Sequence, residues 1–139
     1  MAGTRKRRIL LVDDDPGIRD LLEAVLTEAG FEVIAAADGD EALRLWRKLN
    51  GADLAIVDMF MPHKDGIETI IELKSHSPTV PIIAMSGYGR NKGLDILGNA
   101  KTLGAVLTLE KPFQTKDVLD LVTKALVTAC LSIAVRYVV

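Results

Sequence analysis

Hydrophobic residues follow two patterns that alternate along the chain. Short runs rich in Ile, Leu, Val, Ala and Met occupy positions 8–12, 32–35, 53–58, 81–85 and 105–109. Between most of these runs, apolar residues recur every three or four positions, which is the spacing of one face of an α-helix. Continuous apolar runs are typical of parallel strands that helices cover on both faces. The alternation therefore predicts an α/β protein with a doubly wound, five-stranded parallel sheet.

Local signals predict where the helices begin and end. Asp15 precedes Pro16, and this pair is typical of an N-cap followed by the first helical residue. Gly30 is expected to end that helix, while Asp38 and Glu41 predict a capping box for the second. Another helix is expected after the loop at 59–66. A further one is expected within 87–104, where two glycines each cost about 1 kcal/mol relative to alanine.

Thr115 is the predicted N-cap of the last helix, whose apolar face continues toward the chain end. Residues 126–139 are apolar except for Thr128, Ser132 and Arg136. Fourteen residues are too few to span a bilayer, so no membrane segment is expected. Either this helix continues and its second apolar stripe contacts a partner, with a homodimer as one option, or the tail folds back on the domain.

Polar residues follow four of the apolar runs. Asp13 and Asp14 follow the first, Asp58 ends the third, Ser86 follows the fourth and Lys111 comes shortly after the fifth. The carboxyl ends of parallel strands form one crevice, so these side chains are expected to converge. Two carboxylates ~4 Å apart repel by ~4 kcal/mol at an effective dielectric constant near 20, so a cation is required. Ligands that are all oxygen favour Mg²⁺.

The arrangement predicts phosphoryl chemistry. Asp58 lies alone on the central strand and is the candidate nucleophile toward phosphorus, while Asp13 and Asp14 hold the metal. Lys111 supplies a positive charge to one phosphoryl oxygen, and the Ser86 hydroxyl donates a hydrogen bond to another. Asp15 is explained by its role as a helix cap.

In combination, these segments resemble the receiver domain of two-component response regulators, the chemotaxis-protein-like fold. The resemblance covers positions 8 to about 129, and the matching segments are VDDD (12–15), VDMFMP (57–62), DG (65–66), MSG (85–87) and EKPF (110–113). It implies a flavodoxin-like sheet with strand order 2-1-3-4-5. We expect a single receiver domain over 1–139, with its core at about 8–129 and an apolar helical extension at 126–139.

The resemblance also implies a function. Asp58 would accept a phosphoryl group from a histidine kinase or a histidine phosphotransfer protein. The ligands of Mg²⁺ would be Asp13, Asp14, Asp58 and the backbone carbonyl of Phe60. A cis peptide bond before Pro112 and a Ser86 that moves toward the phosphate are implied as well.

We expect no enzymatic turnover beyond self-phosphorylation from a donor and slow autodephosphorylation. With no effector domain expected in 139 residues, the signal would pass by docking to a downstream protein target, or the phosphoryl group would be relayed to a histidine phosphotransfer protein.

Three residues depart from the family's usual pattern or modify it. Thr108 occupies a position that is usually aromatic, so activation is expected to proceed through backbone and loop ordering instead. Phe60 and Tyr88 occupy positions that border the path of the hydrolytic water in the family. Their rings would either shield the phosphoryl group and slow its hydrolysis, or simply pack on the surface.

Composition excludes several classes of protein. A hydrophobic content of 49% is sufficient for a core on both faces of a sheet. The net charge of −2 argues against a nucleic-acid binder, and the basic run at 5–8 is interpreted as a solvated arm. Cys130 is the only cysteine, which excludes an internal disulfide. The apolar run after Arg8 is too short for a signal peptide, so a cytoplasmic protein is expected.

Two alternative functions remain at this point. A phosphatase of the haloacid dehalogenase class also uses an aspartate nucleophile with Mg²⁺, and Asp13 and Asp15 superficially fit its first motif. That class needs an acidic pair at a strand end after the lysine, whereas Asp117 and Asp120 lie on a predicted helix. The second alternative is a degenerate receiver that binds its partner without phosphorylation.

Overall fold

The five predicted strands and four of the helices are present. The computed structural model describes residues 6–59, 61, 66–87 and 107–138, with side chains described through residue 129. The strands are β1 (Arg8–Val12), β2 (Glu32–Ala36), β3 (Leu54–Asp58), β4 (Ile82–Ser86) and β5 (Leu107–Glu110). The helices are α1 (Pro16–Glu28), α2 (Gly39–Leu49), α3 (Gly66–His76) and α4 (Thr115–Val138).

The strands form one parallel sheet in the order β2-β1-β3-β4-β5. This order confirms the predicted doubly wound, flavodoxin-like architecture. Every residue of β3 and β4 is buried, as their unbroken apolar runs predict for central parallel strands. The register pairs Asp58 with Met85, and Ser86 with Glu110, so polar residues of neighbouring strands end at the same edge.

Helices pack on both faces of the sheet. One core layer lies under α2 and α3, and the other lies under α1 and α4. The helical spacing of apolar residues predicts which face of each helix is turned to the sheet, but not which residues of that face are fully buried. By their helical spacing, Leu21 and Ile71 fall on the apolar faces of α1 and α3, yet they are 45% and 48% exposed. On α1, the sheet is instead contacted by Leu22 and Leu26, which are fully buried.

The predicted caps of the first two helices are confirmed. The Asp15 carboxylate accepts hydrogen bonds from the backbone N–H groups of Gly17 (2.8 Å) and Ile18 (3.4 Å). The Asp38 carboxylate accepts one from Glu41 N–H at 2.8 Å. Two orphan donors of α1 and one of α2 are thereby satisfied.

The cap of the last helix was predicted one residue too late. Helix α4 already includes Thr115, and Gln114 precedes it. The Gln114 N–H donates to the Asp117 carboxylate at 3.3 Å, and the Gln114 carbonyl accepts from the Asp117 N–H at 3.0 Å. These reciprocal bonds make Gln114 the boundary residue, so Thr115 lies within the first turn.

Some predictions fall outside the described residues. These include the helix expected within 87–104, the first two residues of the predicted fifth strand and the side chain of Cys130. The backbone of the predicted extension is described, and α4 runs unbroken to Val138. Within the described part of the chain, no helix is both long enough and apolar enough to cross a bilayer.

Candidate functional site

Four of the predicted site residues meet at the carboxyl edge of the sheet. Asp13 follows β1, Asp58 ends β3, Ser86 ends β4 and Lys111 follows β5. All four are buried, with 0 to 8% of each residue exposed. Parallel strands bring their carboxyl ends to one crevice, which is why residues so distant in the sequence meet. Asp14 lies beside them and is exposed.

The three carboxylates among the predicted metal ligands form one cluster. Carboxylate oxygens of Asp13, Asp14 and Asp58 lie within 4.8 Å of one another. Asp13 and Asp58 come from the buried interior, whereas Asp14 opens the cluster to solvent. A cation entering from solvent would therefore meet oxygen ligands from two neighbouring strands.

Lys111 provides the positive charge at this cluster. Its Nζ donates a hydrogen bond to Asp13 Oδ2 at 2.8 Å and lies 3.6 Å from Asp58 Oδ2. Burial alone would lower the pKa of Lys111, but the hydrogen bond and negative charge of Asp13, together with the charge of Asp58, outweigh it. The pKa of Lys111 is therefore raised above its ordinary value, and the side chain is a stable cation at neutral pH.

Ser86 carries an unsatisfied buried hydroxyl. Its Oγ is buried and has no hydrogen-bond partner among the described residues. Buried hydroxyls nearly always have such a partner, and an exception indicates a strained or functional group. The Ser86 carbonyl accepts from the Lys111 N–H at 2.8 Å, so the two residues are joined through their backbones.

The loop after β1 is held in place by several hydrogen bonds. The Asp13 N–H donates to the Ala36 carbonyl at 3.1 Å, and Asp13 Oδ1 accepts from the Asp15 N–H at 2.9 Å. The Asp13 carbonyl also accepts from the Arg19 guanidinium at 2.9 Å. Asp13 is therefore held on one side by β2 and on the other by the beginning of α1.

Sequence reasoning missed the contribution of Arg19. A basic residue near the beginning of a helix opposes the positive end of the helix dipole, so it is unfavourable unless another contact compensates. Arg19 is the fourth residue of α1, and this placement was the available signal. The compensating contact is its hydrogen bond to the strand-end carbonyl of Asp13.

The residues present fit a divalent cation. Three carboxylates and one ammonium group leave a charge of −2 at the cluster when all four are ionised. The ligand atoms are all oxygen and one of the carboxylates is exposed, which suits an ion that keeps part of its water shell. The cluster is therefore compatible with a divalent metal site.

The remaining predicted residues divide into two groups. Thr108 lies in β5, opposite Ala84, and is half-buried. Phe60, whose carbonyl is a predicted ligand, and Tyr88 lie outside the described residues. The peptide bond between Lys111 and Pro112 is cis, which confirms the geometry implied by the resemblance.

Known proteins are similar to this chain in sequence. The family model described as the response regulator receiver domain matches residues 9–123. Sporulation initiation phosphotransferase F of Bacillus subtilis is 38% identical over 119 residues, which cover 86% of this chain and 93% of that protein. The probable transcriptional regulator ycf27 of Cyanophora paradoxa is 39% identical over 116 residues, but the chain spans only 45% of its length.

A solved structure agrees with these sequence relatives. The receiver domain of NtrX from Brucella abortus superimposes with a TM-score of 0.79 at 31% identity. The match covers 86% of this chain and 98% of that domain. The similarity therefore extends over the sheet and the strand-end cluster together.

Proposed function

Because this chain belongs to the response regulator receiver domain family, we propose that it is a phosphoacceptor protein. Asp58 takes a phosphoryl group from a phosphohistidine on a histidine kinase or a phosphotransfer protein, in a reaction that depends on Mg²⁺. The observation that carries this proposal is the meeting of three carboxylates, one lysine and one hydroxyl, which has no partner among the described residues, at one edge of the sheet.

The transfer step uses the Asp58 carboxylate as its nucleophile. One Asp58 oxygen forms a bond to phosphorus while the bond between phosphorus and the donor imidazole nitrogen breaks. The electron pair of that bond remains on the imidazole nitrogen, which leaves with the donor protein. The product is an acyl phosphate on Asp58, with three phosphoryl oxygens that need positive charge or hydrogen bonds.

Lys111 and Ser86 are suited to bind those oxygens. The Lys111 ammonium group already lies 3.6 Å from Asp58 Oδ2, so a small movement would bring it to a phosphoryl oxygen. The Ser86 Oγ has no hydrogen-bond partner among the described residues, so it can donate to a phosphoryl oxygen without first breaking a bond to one of them. Both groups therefore favour the phosphorylated state over the free one.

Asp13, Asp14 and Asp58 would hold Mg²⁺, with the Phe60 carbonyl as an additional ligand. When bound, the ion supplies charge neutralisation for the phosphoryl oxygens and for the neighbouring acids. Asp13 keeps its orientation through hydrogen bonds from the Asp15 N–H and the Arg19 guanidinium. Those bonds allow the loop after β1 to present both of its acids to the cluster.

The phosphorylated protein would act through contact with other proteins. A downstream protein target would recognise the altered surface, or the phosphoryl group would pass to a second histidine protein. The similarity to sporulation initiation phosphotransferase F of Bacillus subtilis supports including the relay. We expect no multiple turnover of small phosphate esters.

The phosphatase alternative loses support at Asp15. That alternative needs Asp15 as a second acid in the site, but its carboxylate accepts two backbone hydrogen bonds as the cap of α1. Asp117, one of the acids considered after the lysine, is exposed and accepts from the Gln114 N–H. Turnover of p-nitrophenyl phosphate by the purified protein would restore this alternative.

The proposal is tested by intact-mass measurement. Incubation with phosphoramidate and Mg²⁺ should add one phosphoryl group, about 80 Da, to the wild-type protein. Asp58→Asn should give no adduct, and chelation with EDTA should suppress the wild-type reaction. Asp53→Asn is a matched control, because Asp53 lies near the opposite edge of the sheet and should leave the reaction intact. An absent wild-type adduct would support the degenerate receiver.

A further inference from the structure

Gly66 makes an unusually close contact with the phosphoacceptor backbone. It is the first residue of α3 and is buried. A β-carbon at this position would lie 2.5 Å from the Asp58 carbonyl oxygen and 2.6 Å from Met59 Cα. Ordinary contacts of a β-carbon begin at 3.4 Å, so no residue other than glycine fits here without movement of the backbone.

Neither side of this contact has room to move freely. On the strand side, the Met59 N–H donates to the Met85 carbonyl at 2.8 Å, and Asp58 is paired with Met85 in the sheet. On the helix side, α3 is anchored by Ile70 and Leu73, which are fully buried in the core. A side chain at position 66 must therefore displace one of two anchored segments.

We propose that Gly66 is a positioning residue for the phosphoacceptor, a role that rests on the proposed function. Because Gly66 has no side chain, α3 can lie directly on the peptide between Asp58 and Met59. The position of α3 in turn sets how far the Asp58 carboxylate extends toward Lys111 and the other carboxylates. This placement brings Asp58 within 3.6 Å of Lys111 and places it in the carboxylate cluster.

The size of the displacement indicates the size of the effect. Relief of the contact from 2.5 Å to 3.4 Å requires a shift of about 0.9 Å. A misplacement near 1 Å at a reacting group costs roughly 100-fold in rate. Residues that orient metal ligands contribute roughly 10- to 100-fold to metal affinity. Both properties of the site are therefore expected to depend on Gly66.

The test measures the Mg²⁺ dissociation constant of Gly66→Ala by titration calorimetry, and its initial phosphorylation rate at saturating Mg²⁺. We expect Mg²⁺ to bind at least about tenfold more weakly than to wild type. The rate should also remain below that of wild type after Mg²⁺ saturation, because the nucleophile itself is displaced. Leu26→Ala is the control, since it removes a fully buried side chain of α1 on the other face of the sheet and should lower the melting temperature without changing Mg²⁺ affinity.

A second variant identifies which atoms are responsible. The Met59 sulfur would lie 3.0 Å from the added β-carbon, but the two closer contacts are with backbone atoms. Adding Met59→Ala to Gly66→Ala should therefore leave the Mg²⁺ affinity low. Restoration of the affinity by Met59→Ala would show that only a side-chain clash is involved and would overturn the proposal.

A third measurement uses the wild-type protein and does not require the variant to fold. The Gly66 N–H donates a hydrogen bond to the Met59 carbonyl with an N···O distance of 3.4 Å, so its hydrogen exchange reports on the contact. Mg²⁺ should slow that exchange, because binding and the contact are coupled reciprocally. Unchanged exchange, or a Gly66→Ala variant with wild-type Mg²⁺ affinity, would refute the role of Gly66. Wild-type protein that binds Mg²⁺ but gives no mass adduct would refute the proposed function instead.

Discussion

The two edges of the sheet both carry charged residues, but they differ in burial and in charge balance. At the amino edge, Arg8 pairs with Glu32 at 3.3 Å, and their side chains are 27% and 43% exposed. At the carboxyl edge, Lys111 pairs with Asp13 at 2.8 Å, and these side chains are 8% and 0% exposed. Similar ion pairs therefore experience very different surroundings.

Hydrogen bonds increase the contrast. The Arg8 guanidinium also donates to the carbonyls of Leu49 (3.0 Å) and Gly51 (3.4 Å). The backbone N–H of Arg8 donates to the Asp53 carboxylate at 2.7 Å. The amino edge thus joins the beginnings of three strands to the end of α2, which is a structural role.

The carboxyl edge has a surplus of charge and an unused donor. Three carboxylates face one lysine, and the Ser86 hydroxyl has no partner among the described residues. Such an arrangement costs stability unless something binds to it. Both edges contain charges, so it is burial together with charge imbalance that marks the carboxyl edge as a candidate binding site.

The largest effect is expected from Lys111→Met, which removes the cation of the carboxyl edge. Asp13 and Asp58 would remain buried without it, and such losses cost about 3 to 5 kcal/mol. Urea unfolding in EDTA should show this decrease in the free energy of unfolding. A change below about 1 kcal/mol is usual for an exposed ion pair, so it would mean that burial does not make the pair of Lys111 and Asp13 stronger than the pair of Arg8 and Glu32.

The same lysine predicts a pH dependence. Its pKa is raised in the folded chain above the ordinary value of 10.5, so the unfolded chain loses the proton first as the pH rises. The stabilisation is fully present below about pH 10.5 and is lost as the pH rises through the folded pKa. Urea unfolding between neutral pH and pH 11.5 should show a decline that Lys111→Met lacks. An equal decline in the free energy of unfolding of wild type and Lys111→Met would contradict this role of Lys111.

A nearly equal effect is expected from Mg²⁺, which should stabilise the protein through the carboxyl edge. A ligand at 100 times its dissociation constant contributes about 2.7 kcal/mol to the free energy of unfolding. Thermal unfolding with and without Mg²⁺ measures this gain. Asp13→Asn should reduce it strongly, whereas Asp53→Asn, near the amino edge, should retain it. The same gain in both variants would exclude the cluster as the binding site.

A smaller effect is expected from Arg8→Met at the amino edge. The variant loses two hydrogen bonds to carbonyls and a partly exposed ion pair, together worth about 1 to 2 kcal/mol. Chemical denaturation measures the loss, while Mg²⁺ affinity and the phosphorylation rate should stay at wild-type values. A change in Mg²⁺ affinity would show that the two edges are coupled.

The smallest effect is expected from Glu32→Gln. The Glu32 side chain is 43% exposed, so its ion pair with Arg8 is screened by solvent and contributes less than about 1 kcal/mol. Urea unfolding at low and high salt should give almost the same value as for wild type. A loss as large as that of Arg8→Met would mean that the ion pair, and not the carbonyl bonds, stabilises this edge.

Much of the fold could be predicted because its signals are local. Unbroken apolar runs identify β3 and β4 as central strands, and Asp15 and Asp38 are caps whose partners lie two or three residues away. The convergence of Asp58 and Lys111 followed from one general rule, that parallel strands end at the same edge.

Other features depend on how elements pack, which local patterns do not encode. The exposure of Leu21 depends on how α1 is rotated about its axis against the sheet. The apolar face of a helix is wider than the part of that face that contacts the sheet, so some of its residues remain exposed. The contact of Gly66 with Asp58 depends on the height of α3 above β3. The bond from Arg19 depends on the path of a long side chain back to the preceding strand.

The length of α4 has a mechanical consequence. Its 24 residues extend about 36 Å, roughly twice the length of a five-residue strand. The helix begins four residues after Lys111, and the last buried side chain described along it is Leu126. By the geometry of a rigid rod, a tilt of about 5° at its first turn would carry its far end about 3 Å. A small change in direction at the first turn, close to the carboxylate cluster, would therefore become a displacement of several ångströms at the far end of the helix.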